Sequence, residues 1–204
     1  LNKIKVVVSD LGNVLIPFDY NIIIQKLNKI DINLGEFFYA NYKQNYEIHR
    51  KFEKGKLTEE EFWAYIQKWT KNLISFDEFA EIYSNIFTLN EELISYLPEI
   101  KSKFQLVLLS NTNSIHQRFG WAKYDFLQYF DKLILSHEVG FAKPEVGIYQ
   151  SVMNFTQELP ETHLFIDDIL EYCQAAENIG WKTIQVKNQS QIISDLKLSK
   201  IIKI

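Results

Sequence analysis

Apolar positions along this chain gather into short solid runs separated by longer stretches of mixed character. Solid apolar or nearly apolar runs occur at residues 4–8, 105–109, 132–135, 163–166 and 183–186. Runs this short, without an alternating polar face, read as strands covered on both sides. The polar, turn-forming or helical sequence after each of the first four gives the rhythm of parallel βαβ units. The interval between the first and second runs is far too long for one crossover and must hold structure of its own. Its pattern is helical. Thr58-Glu59-Glu60-Glu61 is a capping box, in which a hydroxyl accepts from the N3 amide and the N3 carboxylate reaches back. Phe62, Ile66 and Trp69 then recur on one helical face. Ser75-Phe76-Asp77-Glu78 repeats the device ahead of Phe79, Ile82, Tyr83 and Ile86. Upstream, residues 22–30 and 36–50 also suit helices, and Gly55 marks a break. The aromatic cluster Phe37, Phe38, Tyr39, Tyr42 and Tyr46 reads as bundle core. The expected architecture is α/β: a doubly wound parallel-sheet (Rossmann-like) core from residues 1–16 and 91–204, with a small α-helical cap inserted at 17–90.

Composition narrows the function without naming it. The chain has 204 residues, 47% of them hydrophobic and 24% charged, an ordinary balance for a globular protein. A formal charge of −4 argues against a broad nucleic-acid-binding face, which is normally basic. It leaves room for a phosphorylated substrate, since a lysine and a metal ion make one pocket locally positive. Cys173 is the single cysteine, so neither an intramolecular disulfide nor a Cys-rich zinc site is expected. It lies in an apolar helical stretch and reads as packing. No run approaches the ~18 apolar residues of a membrane span, and the first run is too short for a signal peptide. The expectation is a cytoplasmic chain with no nucleic-acid or membrane partner, acting as a monomer or weak homodimer.

The chemistry-bearing residues follow the strands. In open α/β sheets the ligand crevice lies beyond the carboxyl ends of the strands. Asp10 ends the first run, Ser110-Asn111-Thr112 the second, Lys143-Pro144 comes after the third, and Asp167-Asp168 ends the fourth. A carboxylate can attack phosphorus directly and split one hard displacement into two, and charge neutralisation is then most of what the reaction needs. The adjacent carboxylates Asp167 and Asp168 repel one another unless a cation is near, and Mg²⁺, which prefers oxygen ligands, suits them. Strand alternation points one of the pair at the metal. Asp168 is favoured, with Asp167 orienting the lysine or a metal-bound water. Lys143 can bridge nucleophile and phosphate, and Ser110 and Asn111 can hold the phosphate by hydroxyl, amide and backbone N–H groups. His49, His116, His137 and His163 show no metal-ligand spacing.

In order and in kind, Asp10-Leu11-Gly12-Asn13-Val14, Ser110-Asn111-Thr112-Asn113, Lys143-Pro144-Glu145 and Asp167-Asp168 resemble the motifs of the haloacid dehalogenase-like (HAD) hydrolases, in the branch with a helical cap after the first strand. The segments 110–116, 143–150 and 52–62 look like bacterial α-D-glucose-1-phosphate phosphatases within it. The resemblance implies a Mg²⁺-dependent phosphatase working through an aspartyl-phosphate. Asp10 would be nucleophile and metal ligand, with the Gly12 carbonyl and Asp168 as further ligands. Ser110 and Asn111 would bind the phosphate of a small phosphorylated metabolite, a sugar 1-phosphate among them, and Lys143 would stabilise it.

Two positions depart from the family pattern. Gly12 stands where most of its phosphatases carry an aspartate that acts as general acid and base, help typically worth ~10²–10⁴-fold in rate. His49, Asp19 and polar residues of the cap are the candidate replacements. Tyr172 stands where a small polar or acidic residue is common. Two other readings are open: a catalytically weak or inactive binding protein on the same fold, and a metal-independent 2-haloacid dehalogenase. The acidic pair Asp167-Asp168 argues against the second.

Overall fold

The computed structural model describes residues 3–203. β1 (Val6–Ser9), β2 (Gln105–Ser110), β3 (Lys132–Leu135), β4 (His163–Asp167) and β5 (Lys182–Gln185) form one five-stranded sheet in the order β3-β2-β1-β4-β5. All pairings are parallel, with Val6 opposite both Gln105 and His163. β1 is therefore central, and the strand order reverses on either side of it. Compared with the apolar runs, β2 and β4 extend one residue further, so that Ser110 and Asp167 belong to strands, while β5 begins one residue earlier.

Alternate residues of a strand face opposite sides, and here both sides are covered. Val7, Leu106, Leu108, Leu164 and Ile166 pack with α6 (Glu91–Ser95), α7 (Leu97–Lys101) and α11 (Gln189–Leu198). Val6, Val8, Val107, Leu109 and Phe165 pack with α9 (Val146–Thr156) and α10 (Leu170–Asn178). This double covering is what continuous apolar strands require. A short helix, α8 (Ser136–Val139), follows β3.

Between β1 and β2 lie α1 (Asn21–Asn28), α2 (Leu34–Gln44), α3 (Tyr46–Glu53), α4 (Glu59–Trp69) and α5 (Phe76–Ser84). They bury a separate cluster including Ile23, Leu27, Phe38, Phe52, Phe62, Ile66, Phe79 and Tyr83. Both capping boxes form, on Thr58 with Glu61 and on Ser75 with Glu78. The single helix expected over 36–50 is two. Asn45, at φ −117° and ψ 38°, leaves the helical region, and its side-chain amide donates to the Asn41 carbonyl at 2.8 Å. That break turns α3 toward the sheet. After β2 the chain forms a π-helix, His116–Trp121, rather than a regular α-helix.

Candidate active site

The ends of β1, β2 and β4 bring the expected residues together. Asp10 follows β1 directly, 7% exposed, and its backbone N–H donates to Ile166 at 2.9 Å. Lys143, on the loop between α8 and α9, is buried and places Nζ 2.8 Å from Asp10 Oδ1 and 2.6 Å from Asp167 Oδ2. The rings of Tyr172 and Phe165 lie 5.1 and 5.5 Å from that nitrogen, which is cation–π range. Tyr172 thus adds a cation–π contact to the lysine.

Asn111 fixes the lysine from behind. Its Oδ1 accepts from the Lys143 N–H at 2.8 Å and its Nδ2 donates to the Lys143 carbonyl at 3.0 Å. The side-chain amide expected to reach a phosphate is engaged with the Lys143 backbone. Ser110 is buried at the end of β2 and lines a small chamber of about 70 Å³ beside Leu11 and Gly12.

The carboxylates are divided by their partners. Asp167 gives Oδ2 to Lys143 and Oδ1 to the Ile169 N–H at 2.8 Å. Asp168 is half-buried, takes one bond from Asn13 Nδ2 at 3.2 Å and lines the main cavity. Asp10, Asp167 and Asp168 each offer an oxygen within 4.8 Å of the others. One ammonium faces three carboxylates, so the cluster carries excess negative charge. Burial pushes the Asp10 carboxyl up to about 7, with Lys143 opposing and Asp167 and Asp168 adding to the rise. Asp168 is likewise raised, by burial and then by Asp167. Burial works against the Lys143 ammonium, but Asp10 and Asp167 outweigh it and hold its pKa above the ordinary lysine value. A divalent cation on this oxygen-only donor set would relieve the imbalance, and Mg²⁺ is the hard cation that fits it.

The cluster opens into a cavity of about 340 Å³ that Tyr20, Tyr42, Tyr46, His49, Arg50 and Glu53 also line. Tyr39, Tyr42 and Tyr46, read as bundle core, line this cavity as well. Arg50 and Glu53 were not singled out from the sequence. The available signal was spacing: Tyr46, His49, Arg50 and Glu53 sit three, four and seven apart, polar on one face of a helix in an apolar bundle.

The two departures also find a physical setting. A Cβ on Gly12 would meet Phe18 Cε1 at 3.0 Å, so a side chain there would press against the edge of the Phe18 ring. Asp19 is exposed and accepts from the Asn21 N–H at 2.9 Å, starting α1 rather than facing the cavity. His49 engages both ring nitrogens, Nε2 with Glu53 at 3.2 Å and Nδ1 with the Tyr83 hydroxyl at 3.3 Å. Neither is placed as a free proton donor. Burial lowers His116 to about 3, which keeps it neutral. Burial also pushes the Cys173 thiol up to about 12, consistent with packing.

A doubly wound sheet thus carries an aspartate at the end of its central strand, with a buried lysine and an acidic pair beside it. The haloacid dehalogenase-like hydrolase family matches residues 21–186, and this chain belongs to it. D-ribitol-5-phosphate phosphatase of Bacteroides thetaiotaomicron is 24% identical over 192 residues, spanning 91% of this chain and 93% of that one. A HAD family enzyme of Bacteroides thetaiotaomicron superposes with TM-score 0.82 at 27% identity, covering 94% of this chain and 99% of the other. The same enzyme in complex with magnesium and inorganic phosphate gives TM-score 0.79 at 28% identity, covering 93% and 98%. L-2-haloacid dehalogenase from Xanthobacter autotrophicus shares the fold alone, at TM-score 0.64 and 18% identity over 98% of this chain and 85% of the other.

Proposed function

We propose that this HAD-like hydrolase is a Mg²⁺-dependent phosphatase of small polyhydroxylated monophosphates, through an aspartyl-phosphate on Asp10. The observation that carries the reading is the cluster of Asp10, Lys143, Asp167 and Asp168 opening under a cavity lined by several tyrosines. The relatives add support, since one is a phosphatase of a polyol phosphate and another was crystallised with magnesium and phosphate.

In this scheme an Asp10 oxygen attacks phosphorus, and the bond to the substrate alcohol breaks with its electron pair leaving on oxygen. Water then hydrolyses the acyl phosphate and restores the carboxylate. Lys143 neutralises charge on the transferring group, and Asn111 keeps Lys143 in place. Asp10, the Gly12 carbonyl and Asp168 would hold Mg²⁺, with Asp167 behind them, and the ion would supply further neutralisation of phosphoryl oxygens. With glycine at position 12, the departing oxygen finds no acid there. An alcohol that leaves readily, such as the C1 oxygen of a sugar 1-phosphate, suits that arrangement.

The test is phosphate release by the purified protein, with and without Mg²⁺, from sugar 1-phosphates, polyol phosphates, nucleotides and an aryl phosphate. Metal-dependent release that Asp10→Asn abolishes is the expected result. Undiminished turnover by that variant would sink the mechanism.

A further inference from the structure

We infer that Glu53 is a specificity-determining carboxylate that accepts hydrogen bonds from hydroxyls of the leaving group, and that His49 and Arg50 position it. The inference rests on the phosphatase reading above and goes beyond it to the kind of molecule the phosphate is attached to.

Glu53 is the last residue of α3, and its side chain is 11% exposed. Burying a carboxylate at that depth is costly unless it is paired. Its partners come from its own helix, one turn back. His49 Nε2 lies 3.2 Å from Oε1, and Arg50 Nη1 lies 2.9 Å from Oε2. Arg50 also donates through Nη2 to the Lys143 carbonyl at 3.2 Å, tying this carboxylate to the loop that carries the catalytic lysine. A carboxylate has about four acceptor sites. Two are used, and Glu53 borders both the main cavity and the smaller chamber beside Ser110 and Gly12.

An acceptor with spare lone pairs in a substrate cavity calls for donors. Burial works to raise the Glu53 pKa, but charge and hydrogen bonding from His49 and Arg50 outweigh it and hold it at about 2. The group is therefore an acceptor at working pH and not a replacement for the acid missing at position 12. Its charge also sets a limit. A second phosphate or a carboxylate at the far end of the substrate would meet a fixed anion in a poorly solvated site. The fitting substrate is thus a monophosphate whose remaining portion is neutral and rich in hydroxyls.

The experiment compares kcat/KM for glucose 1-phosphate and ribitol 5-phosphate with that for phenyl phosphate, whose leaving group has no other hydroxyl. Wild type, Glu53→Gln and Glu53→Asp are measured with Mg²⁺. Hydrogen bonds to charged groups set the scale, and the preference for the better hydroxylated ester should fall about 10–100-fold in Glu53→Gln, through KM. Glu53→Asp should lose less. If Glu53→Gln slows all three esters equally, the residue is structural and the assignment is overturned. Should the variant not fold, inhibition of the wild type decides. Glucose 1,6-bisphosphate must compete at least 10-fold more weakly than glucose 1-phosphate, and equal competition overturns the assignment. Silence of the wild type toward every ester overturns the phosphatase reading and takes the assignment with it.

Discussion

At Lys143 a buried ammonium lies between Asp10 and Asp167, and removing it strands two carboxylates out of water. Breaking a buried pair on one side typically costs ~3–5 kcal/mol. Lys143→Met should therefore destabilise by about that much in urea unfolding, besides losing turnover. Asp10→Asn has the opposite sign. A carboxyl whose pKa is raised to about 7 is destabilising when ionised, so in metal-free buffer at pH 8 the amide should leave the Tm equal or higher, while with Mg²⁺ present it should abolish phosphate release. Asp10 and the pair Asp167-Asp168 were legible because each lies at the end of an apolar strand, and Lys143 because the Lys-Pro-Glu segment that carries it recurs in the family's motif order. Glu53 was not, since its spacing from Tyr46, His49 and Arg50 marks a polar helix face without showing what that face will meet.

At the scale of elements, α3 shows where local pattern stops being informative. The stretch 36–50 is helical in propensity throughout, yet the chain breaks at Asn45 and the second piece turns its polar face to the cavity. Only packing against the sheet decides that angle. The capping boxes, by contrast, are local and formed as the spacing requires. Thr58→Ala should cost ~0.5–2 kcal/mol of unfolding free energy, read by denaturant melt. The Glu53 pairing gives α3 a pH signature of known sign. Its folded pKa is lowered to about 2 from an ordinary 4.5, so the stability it contributes is present above 4.5 and fades as pH falls toward 2. Tm measured from pH 5 to pH 3 should fall less steeply in Glu53→Gln than in wild type.

For the molecule as a whole, the parallel sheet and the helical insert were both readable, the sheet from short solid apolar runs and the insert from apolar faces at helical spacing. How insert and sheet are joined was not. Arg118 and Ser114 both reach Glu59, at 2.7 Å each, and Lys54 reaches Glu145 at 2.6 Å. Such partners are far apart in the chain and carry no periodic signal. No helix among the described residues is long and apolar enough to cross a membrane. Because a ligand of the native state must stabilise it, Mg²⁺ should raise the Tm of wild type, and Asp168→Asn should remove most of that rise.

The two passages between sheet and insert run side by side. The Leu15 carbonyl accepts from the Asn90 N–H at 2.9 Å, the Pro17 carbonyl accepts from the Thr88 N–H at 2.8 Å, and Phe18 bridges Phe87 antiparallel. The departing and returning chains thus share one doorway, so whatever is threaded through it can grow, shrink or be exchanged without moving either doorpost. Asp10 stands on the sheet side of that threshold and Glu53 on the other. Over evolutionary time, such a layout lets the choice of molecule drift while the phosphorus chemistry is inherited intact.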